Sequence, residues 1–206
     1  MAERVHGFAS SRASEAAIYE AFDFGPSKRF DLREAQKEVA QLRQPKKFIR
    51  PILHRPFDQR YVFFHPSLVW SMSRPMADQM EGEGHLALVA TRQVTRPQFE
   101  HAFVSRNMIE IKACSHDRNT QIFPLFLHAR SGGLALSGGA SANISPSSLA
   151  QFAVSLNLTS KTQQRDVLKP VSIFNYAYAV LYSPAYRLRY FEFLQKRVPQ
   201  NSLPRE

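Results

Sequence analysis

The 206-residue chain is 44% hydrophobic, enough for one sizeable domain or a domain with a small appendage, and carries a net charge of +10 with a pI near 10.0. That balance favours an anionic partner, nucleic acid first, whereas a membrane-spanning helix would need about eighteen consecutive apolar residues that the chain lacks. A single cysteine, Cys114, excludes an internal disulfide framework and fits a reducing cytoplasm; residues 1–14 carry early charges and no apolar stretch of a secretory signal.

Nineteen of the 27 basic residues are arginine, and residues 51–130 hold eight arginines against one lysine, Lys112. Arginine's planar fork grips a phosphate or the O6/N7 edge of guanine with two parallel hydrogen bonds, which lysine cannot do. Arginine-rich codon usage would give the same excess without any such role.

In chain order, residues 1–22 are polar and rich in alanine and serine, with a short helix expected at 14–22. A turn follows at 24–27. Asp31 is placed to cap a helix near 31–43, so that residues 1–50 read as a connector lying on a main body at 51–206. From Phe48 the pattern becomes β-rich. Residues 54–60 (HRPFDQR) form a turn in which Asp58 can be clamped by Arg55 or Arg60 while the neighbouring aromatics enter the core. Residues 68–80 look loop-like, and Gly82 and Gly84 frame a turn. Strands are expected at 85–92, 103–104, 108–114 and 121–128, the last with Pro124 marking an edge or a bulge.

Three polar turns separate these strands. They carry Arg92, Gln93, Thr95 and Arg96, then Arg106 and Asn107, then Arg118 and Asn119, the residue types that contact guanine, adenine and phosphate in a DNA groove. Solvated loops would look similar in composition. The segment 131–148 is small and glycine-rich, but no Gly-Lys-Ser/Thr follows it. A helix is expected from Ser145-Pro146 to Leu156, then a polar connection at 157–169. Residues 172–197 read as two helices hinged at Ser183-Pro184, with Ile173, Tyr176, Ala177, Val180 and Leu181 on one face and Tyr190, Phe191 and Leu194 continuing it. The bland reading of this pair is a core-forming hairpin with solvated charges.

Catalytic chemistry has no visible home. Cys114 and His116 are two candidate ligands where a closed zinc site wants four, so no metal is expected, and no Walker loop, dinucleotide fingerprint or nucleophile elbow calls for a cofactor. No motif selects a histidine to activate Cys114. The fold class expected is α+β, a twisted mixed sheet over about residues 52–128 packed by the C-terminal helices.

Six pieces in this order resemble the C-terminal target-recognition, or specificity, domain of Type ISP restriction-modification enzymes: ILHRPFDQRYVFF at 52–64, LALVATRQ at 86–93, FEHAFVSRNMIEIKACS at 99–115, IFPLFL at 122–127, ANIS at 142–145 and IFNYAYAVLYSPAYRLRYFEFLQKRVP at 173–199. The resemblance implies a module that docks duplex DNA for an adenine-specific methyltransferase, in enzymes that also contain a nuclease and a translocating ATPase. This chain lacks the Asn-Pro-Pro-Tyr motif, the S-adenosylmethionine glycine motif and any Walker box of such enzymes, so it is expected to be the specificity module alone or the tail of a truncated gene, without turnover of its own. The expectation is sequence-specific binding of double-stranded DNA in the cytoplasm, with Lys112, Lys161, Arg187 and Arg189 neutralising phosphates. The alternative is a protein-docking module whose Tyr176, Tyr178, Tyr182, Tyr186 and Tyr190 bind separately encoded methyltransferase or helicase/nuclease subunits.

Overall fold

The computed structural model describes residues 1–24, 31–69, 72–80, 85–91, 99–128 and 140–195. Turns expected at 25–27 and 82–84, the glycine-rich stretch 131–139, and Lys196 and Arg197 lie outside them. Two compact units emerge: Met1–Ile52 with Gln59–Met76, and Leu53–Asp58 with Ala77–Glu206.

The first unit is built on α1 (Ala2–Ser10), α2 (Glu15–Phe22) and α3 (Leu32–Gln41). Serine and aspartate start two of them: the Ser14 side chain accepts from Ala17 N at 3.4 Å, and Asp31 accepts from Glu34 N at 2.9 Å. Asp23, in the left-handed region at φ 55°, ends α2. The three helices bury Val5, Phe8, Ile18, Leu32, Ala35 and Val39 around one core, joined by Phe63. Phe22 and Phe24 meet Phe8 edge-on, with ring centroids 5.5 and 5.4 Å away. Gln36 is buried there without cost to hydrogen bonding, because its Nε2 donates to the Phe8 and Ser11 carbonyls and its Oε1 accepts from Arg33. The α1 helix stands where the sequence suggested only a polar connector.

A hairpin follows, β1 (Ile49–Arg55) and β2 (Asp58–Phe63). A short α4 (Arg74–Asp78) interrupts the stretch expected to be loop. In the second unit β3 (Ala87–Thr91), β4 (Ala102–Ser105) and β6 (Thr120–Pro124) form an antiparallel sheet in the order β4-β3-β6, with Ala87 opposite Ser105 and Pro124, Ala90 opposite Ala102, and Thr91 opposite Thr120. Small buried side chains, Ala87, Val89 and Ala102, let this sheet pack closely.

The fold is α+β, as the pattern implied, with its strands shared among small sheets. Two expected strands end early for local reasons. Residues 108–114 give only β5 (Met108–Ile109), since the Glu110 carboxylate accepts from Lys112 N at 2.7 Å and its carbonyl accepts from Ala113 N, turning the chain. Residues 121–128 divide at Pro124 into β6 and β7 (Phe126–His128), and β7 pairs with β8 (Ala140–Ala142). The buried Leu125 at the junction donates its N–H to Leu86 and accepts from Asn143 N, so the backbone loses nothing in changing sheets.

The C-terminal half is helical: α5 (Pro146–Ser155), α6 (Lys161–Val167), α7 (Pro170–Tyr182), α8 (Pro184–Arg189) and α9 (Phe191–Gln195). Ser145 and Ser183 cap α5 and α8 in front of Pro146 and Pro184, as their order predicts. The second C-terminal helix breaks at Tyr190 into α8 and α9, and α6 occupies what the sequence offered as a polar connection. None of the described side chains of α7–α9 is fully buried; Leu188 is 81% and Phe193 80% exposed, so these helices are not the core-forming pair that their periodicity suggested.

Candidate nucleic-acid interface

Hydrogen bonds draw several of the sequence-selected residues together at one end of the β4-β3-β6 sheet. The Leu53 carbonyl accepts from Glu110 N at 2.9 Å, setting β1 beside the chain that leaves β5. Arg55 Nη1 then donates to Glu110 Oε2 at 2.5 Å, and the same oxygen takes the Lys112 N–H. Lys112 Nζ donates to Asn119 Oδ1 at 2.8 Å. The turn between them is closed from inside: Thr120 N donates to the Ile111 carbonyl at 2.7 Å, and Cys114 N donates to Thr120 Oγ1 at 2.9 Å.

Thr120 is the residue opposite Thr91, from which the segment bearing Arg92, Gln93, Thr95 and Arg96 departs. Thr91 N also donates to the His101 carbonyl, so the departure of that segment and its return are tied to each other. The four residues themselves lie outside the described residues. Both anchors stand at the end of the sheet that holds Lys112, Arg118 and Asn119.

Arg106 and Asn107 lie elsewhere. Their turn is held by Ser105 Oγ, which accepts from Asn107 N at 3.0 Å and donates to its carbonyl. Ser105 faces Ala87, four residues along β3 from Thr91 and therefore about 13 Å away at strand rise. Among the described residues, the ends of the first turn and the whole of the third converge, and the second is at the far edge.

The remaining candidates are Arg118 in the third turn and three cations on the helices. Arg118 Nε is buried and lies 3.8 Å from Asp117 Oδ2. Lys161 is exposed at the start of α6, and the exposed Arg189 lies over the Tyr190 ring at 5.6 Å. Arg187 is committed within the fold. Its Nε donates to the Leu181 carbonyl at 2.6 Å, and its guanidinium lies 4.7 Å from the Tyr182 ring centroid and 5.7 Å from that of Phe99, just ahead of β4. Tyr182 OH donates to the Ala102 carbonyl at 2.6 Å. Arg187 thus locks the α7–α8 junction onto the strand that follows the arginine segment, a role that charge and spacing did not reveal.

In the turn between β1 and β2, Asp58 Oδ2 stands 3.2 Å from His54 Nδ1, and Arg55 reaches Glu110 across the sheet. Phe57, expected in the core, is 92% exposed and sits at φ 63°. Burial also pushes the Cys114 thiol up to about 11 despite the opposing Thr120 hydrogen bond, the reverse of what an activated nucleophile needs. Among the described residues no three of His, Cys, Asp and Glu gather as a metal site, and no helix is long and apolar enough to cross a membrane.

The described residues form an α+β fold of small sheets and helices, with Arg106, Asn107, Arg118 and Asn119 on turns between strands. The model of the Type ISP C-terminal specificity domain matches residues 1–205, and the chain belongs to that family. Its fold is similar to part of the DrdV–DNA complex solved by cryo-EM, at 21% identity and a TM-score of 0.59, covering 94% of this chain and 18% of that one. It is similar also to part of the ATP-dependent Type ISP restriction-modification enzyme LlaBIII bound to DNA, at 14% identity and a TM-score of 0.57, covering 97% of this chain and 12% of that one. The chain therefore spans less than a fifth of the length of either. No curated protein matches it.

Proposed function

We propose that this chain recognises a specific sequence in duplex DNA and leaves bond-making to other parts of a Type ISP-like restriction-modification system. The observation that carries this reading is the hydrogen-bonded run Arg55–Glu110–Lys112–Asn119 beside Thr91 and Thr120, which fixes a cation, an amide and both roots of an arginine segment at one end of a sheet. Membership of the specificity-domain family, and the DNA carried by the similar solved structures, support it. The DNA-reading residues all fall after residue 50, with 1–50 as the connector to the rest of the system in the cytoplasm.

In this reading Arg92, Gln93, Thr95 and Arg96 reach base edges, Arg118 and Asn119 flank them, and Lys112, Lys161 and Arg189 meet phosphates. Arg106 and Asn107, at the other end of the sheet, contact a more distant backbone position. Arg187 acts indirectly, by holding Phe99. Selection of bound duplexes from a randomised pool tests the proposal, and equal recovery of every sequence would sink it. Replacing Arg92 or Arg96 with alanine should cost about 1–3 kcal/mol on the selected duplex and relax the preference at one base position.

A second reading has its own observation. Val171, Tyr176, Leu188, Phe191 and Phe193 are all at least 44% exposed along α7–α9, and a shallow depression is lined by Leu188, Arg189, Phe191, Glu192 and Phe193. Such a surface suits docking onto a methyltransferase-bearing or helicase/nuclease polypeptide. Co-purification with that polypeptide, together with an absence of salt-sensitive duplex binding, would favour docking over DNA reading.

A further inference from the structure

Phe57 is the second residue of the two-residue turn joining β1 and β2, where Pro56 precedes a positive φ, and it combines two features unfavourable to a phenylalanine. At φ 63° its Cβ crowds the following carbonyl oxygen, a conformation that glycine or asparagine adopts more readily, and its ring is 92% exposed to water. The side chains on either side hold the turn without that ring. Arg55 Nη1 donates to the His54 carbonyl at 2.6 Å and to Glu110 Oε2, and His54 Nδ1 lies 3.2 Å from Asp58 Oδ2. The ring meets Phe103 edge-on at a centroid distance of 6.0 Å, a contact that steers it and leaves most of its surface open. The result is an apolar ring carried on a braced tip.

Strain that the surroundings hold in place is a mark of functional positions. The bracing here is shared with the candidate interface: the Glu110 carboxylate that anchors Arg55 also anchors Lys112, whose ammonium holds Asn119. A protein-docking patch gathers several exposed apolar side chains, as α8 and α9 do. Phe57 instead lies two residues from Arg55, where a hydrogen-bonded run through Glu110 to Lys112 and Asn119 begins, a setting that suits a side chain contacting bases while neighbouring cations meet phosphates.

We infer that Phe57 is an apolar wedge, entering the base stack of the bound duplex at one step and fixing the register in which the arginine turns are read. The inference rests on the DNA-reading proposal. It makes Phe57 a positioning residue that forms no base-specific hydrogen bond, so its preference is for steps that unstack readily.

The test uses the full chain and a duplex selected by it, with 2-aminopurine placed at successive positions. The wild-type chain should raise 2-aminopurine emission at one step. Phe57→Ala and Phe57→Gly should abolish that rise and weaken binding about tenfold to a hundredfold, Phe57→Trp should retain both, and none should lower the unfolding midpoint. If the wild-type chain selects a duplex yet Phe57→Ala binds it within twofold and leaves the emission unchanged, the wedge is refuted while the DNA-reading proposal stands. If the wild-type chain selects no duplex, that proposal fails and the wedge with it. If Phe57→Ala spares duplex binding but releases a co-purifying methyltransferase-bearing polypeptide, the ring is a protein contact and the inference is overturned.

Discussion

At Phe57 a left-handed backbone and an exposed ring coincide, so stability and function can be separated by one substitution. Phe57→Gly should raise the unfolding free energy by about 0.5–1 kcal/mol, read as a higher denaturant midpoint, the relief of left-handed strain exceeding glycine's added chain entropy. Cys114 gives a second residue-level expectation. Its folded pKa, pushed up to about 11 from an ordinary value near 9, lies above the unfolded one. The associated stability is therefore fully present below pH 9 and lost as pH rises toward 11. Alkylation by a neutral reagent should keep accelerating up to about pH 11 in the native chain and level off near pH 9 in the unfolded chain; mass spectrometry follows both. Neither residue announced itself in the sequence. A Pro-Phe-Asp turn between arginines gives no sign of which way the ring points, and the burial of Cys114 depends on a turn closed by Thr120.

Elements whose limits are written in local chemistry were legible, and those set by tertiary partners were not. Asp31, Ser145 and Ser183 mark helix starts because each oxygen satisfies a backbone N–H that the helix leaves over. The α6 helix carried an equally local signal, the Ser160 and Gln163 capping box, inside a stretch too polar to attract notice. Ser160→Ala should destabilise that helix by about 1 kcal/mol, visible as faster amide exchange confined to residues 161–167. By contrast, β5 stops where Glu110 finds Arg55, a partner 55 positions away. The periodicity of α7–α9 shows a greasy face but not whether anything covers it. Tyr182 joins one of these helices to β4 through Ala102, and burial foremost, with Tyr178 adding to it, pushes its hydroxyl up to about 12 from an ordinary 10. Tyr182→Phe should cost about 1 kcal/mol at neutral pH and remove a loss of stability that the wild-type chain suffers between pH 10 and 12.

For the whole molecule, a net charge of +10 makes attraction to any polyanion strong, so affinity alone says little about recognition. The informative quantity is the slope of log affinity against log salt. Lys112→Ala should weaken all duplexes alike and make that slope shallower by about one, whereas Arg187→Ala, which removes a brace rather than a phosphate contact, should disturb selectivity more than slope. The tie between Thr91 and His101 has a further consequence. With both roots pinned by the ladder, doubling the length of the connecting stretch would add only about 0.6 kcal/mol of closure entropy. On the proposed reading, lineages or engineers could exchange residues 92–98 for unrelated inserts and obtain new target preferences on an unaltered scaffold, a cassette whose address changes while its mounting stays put.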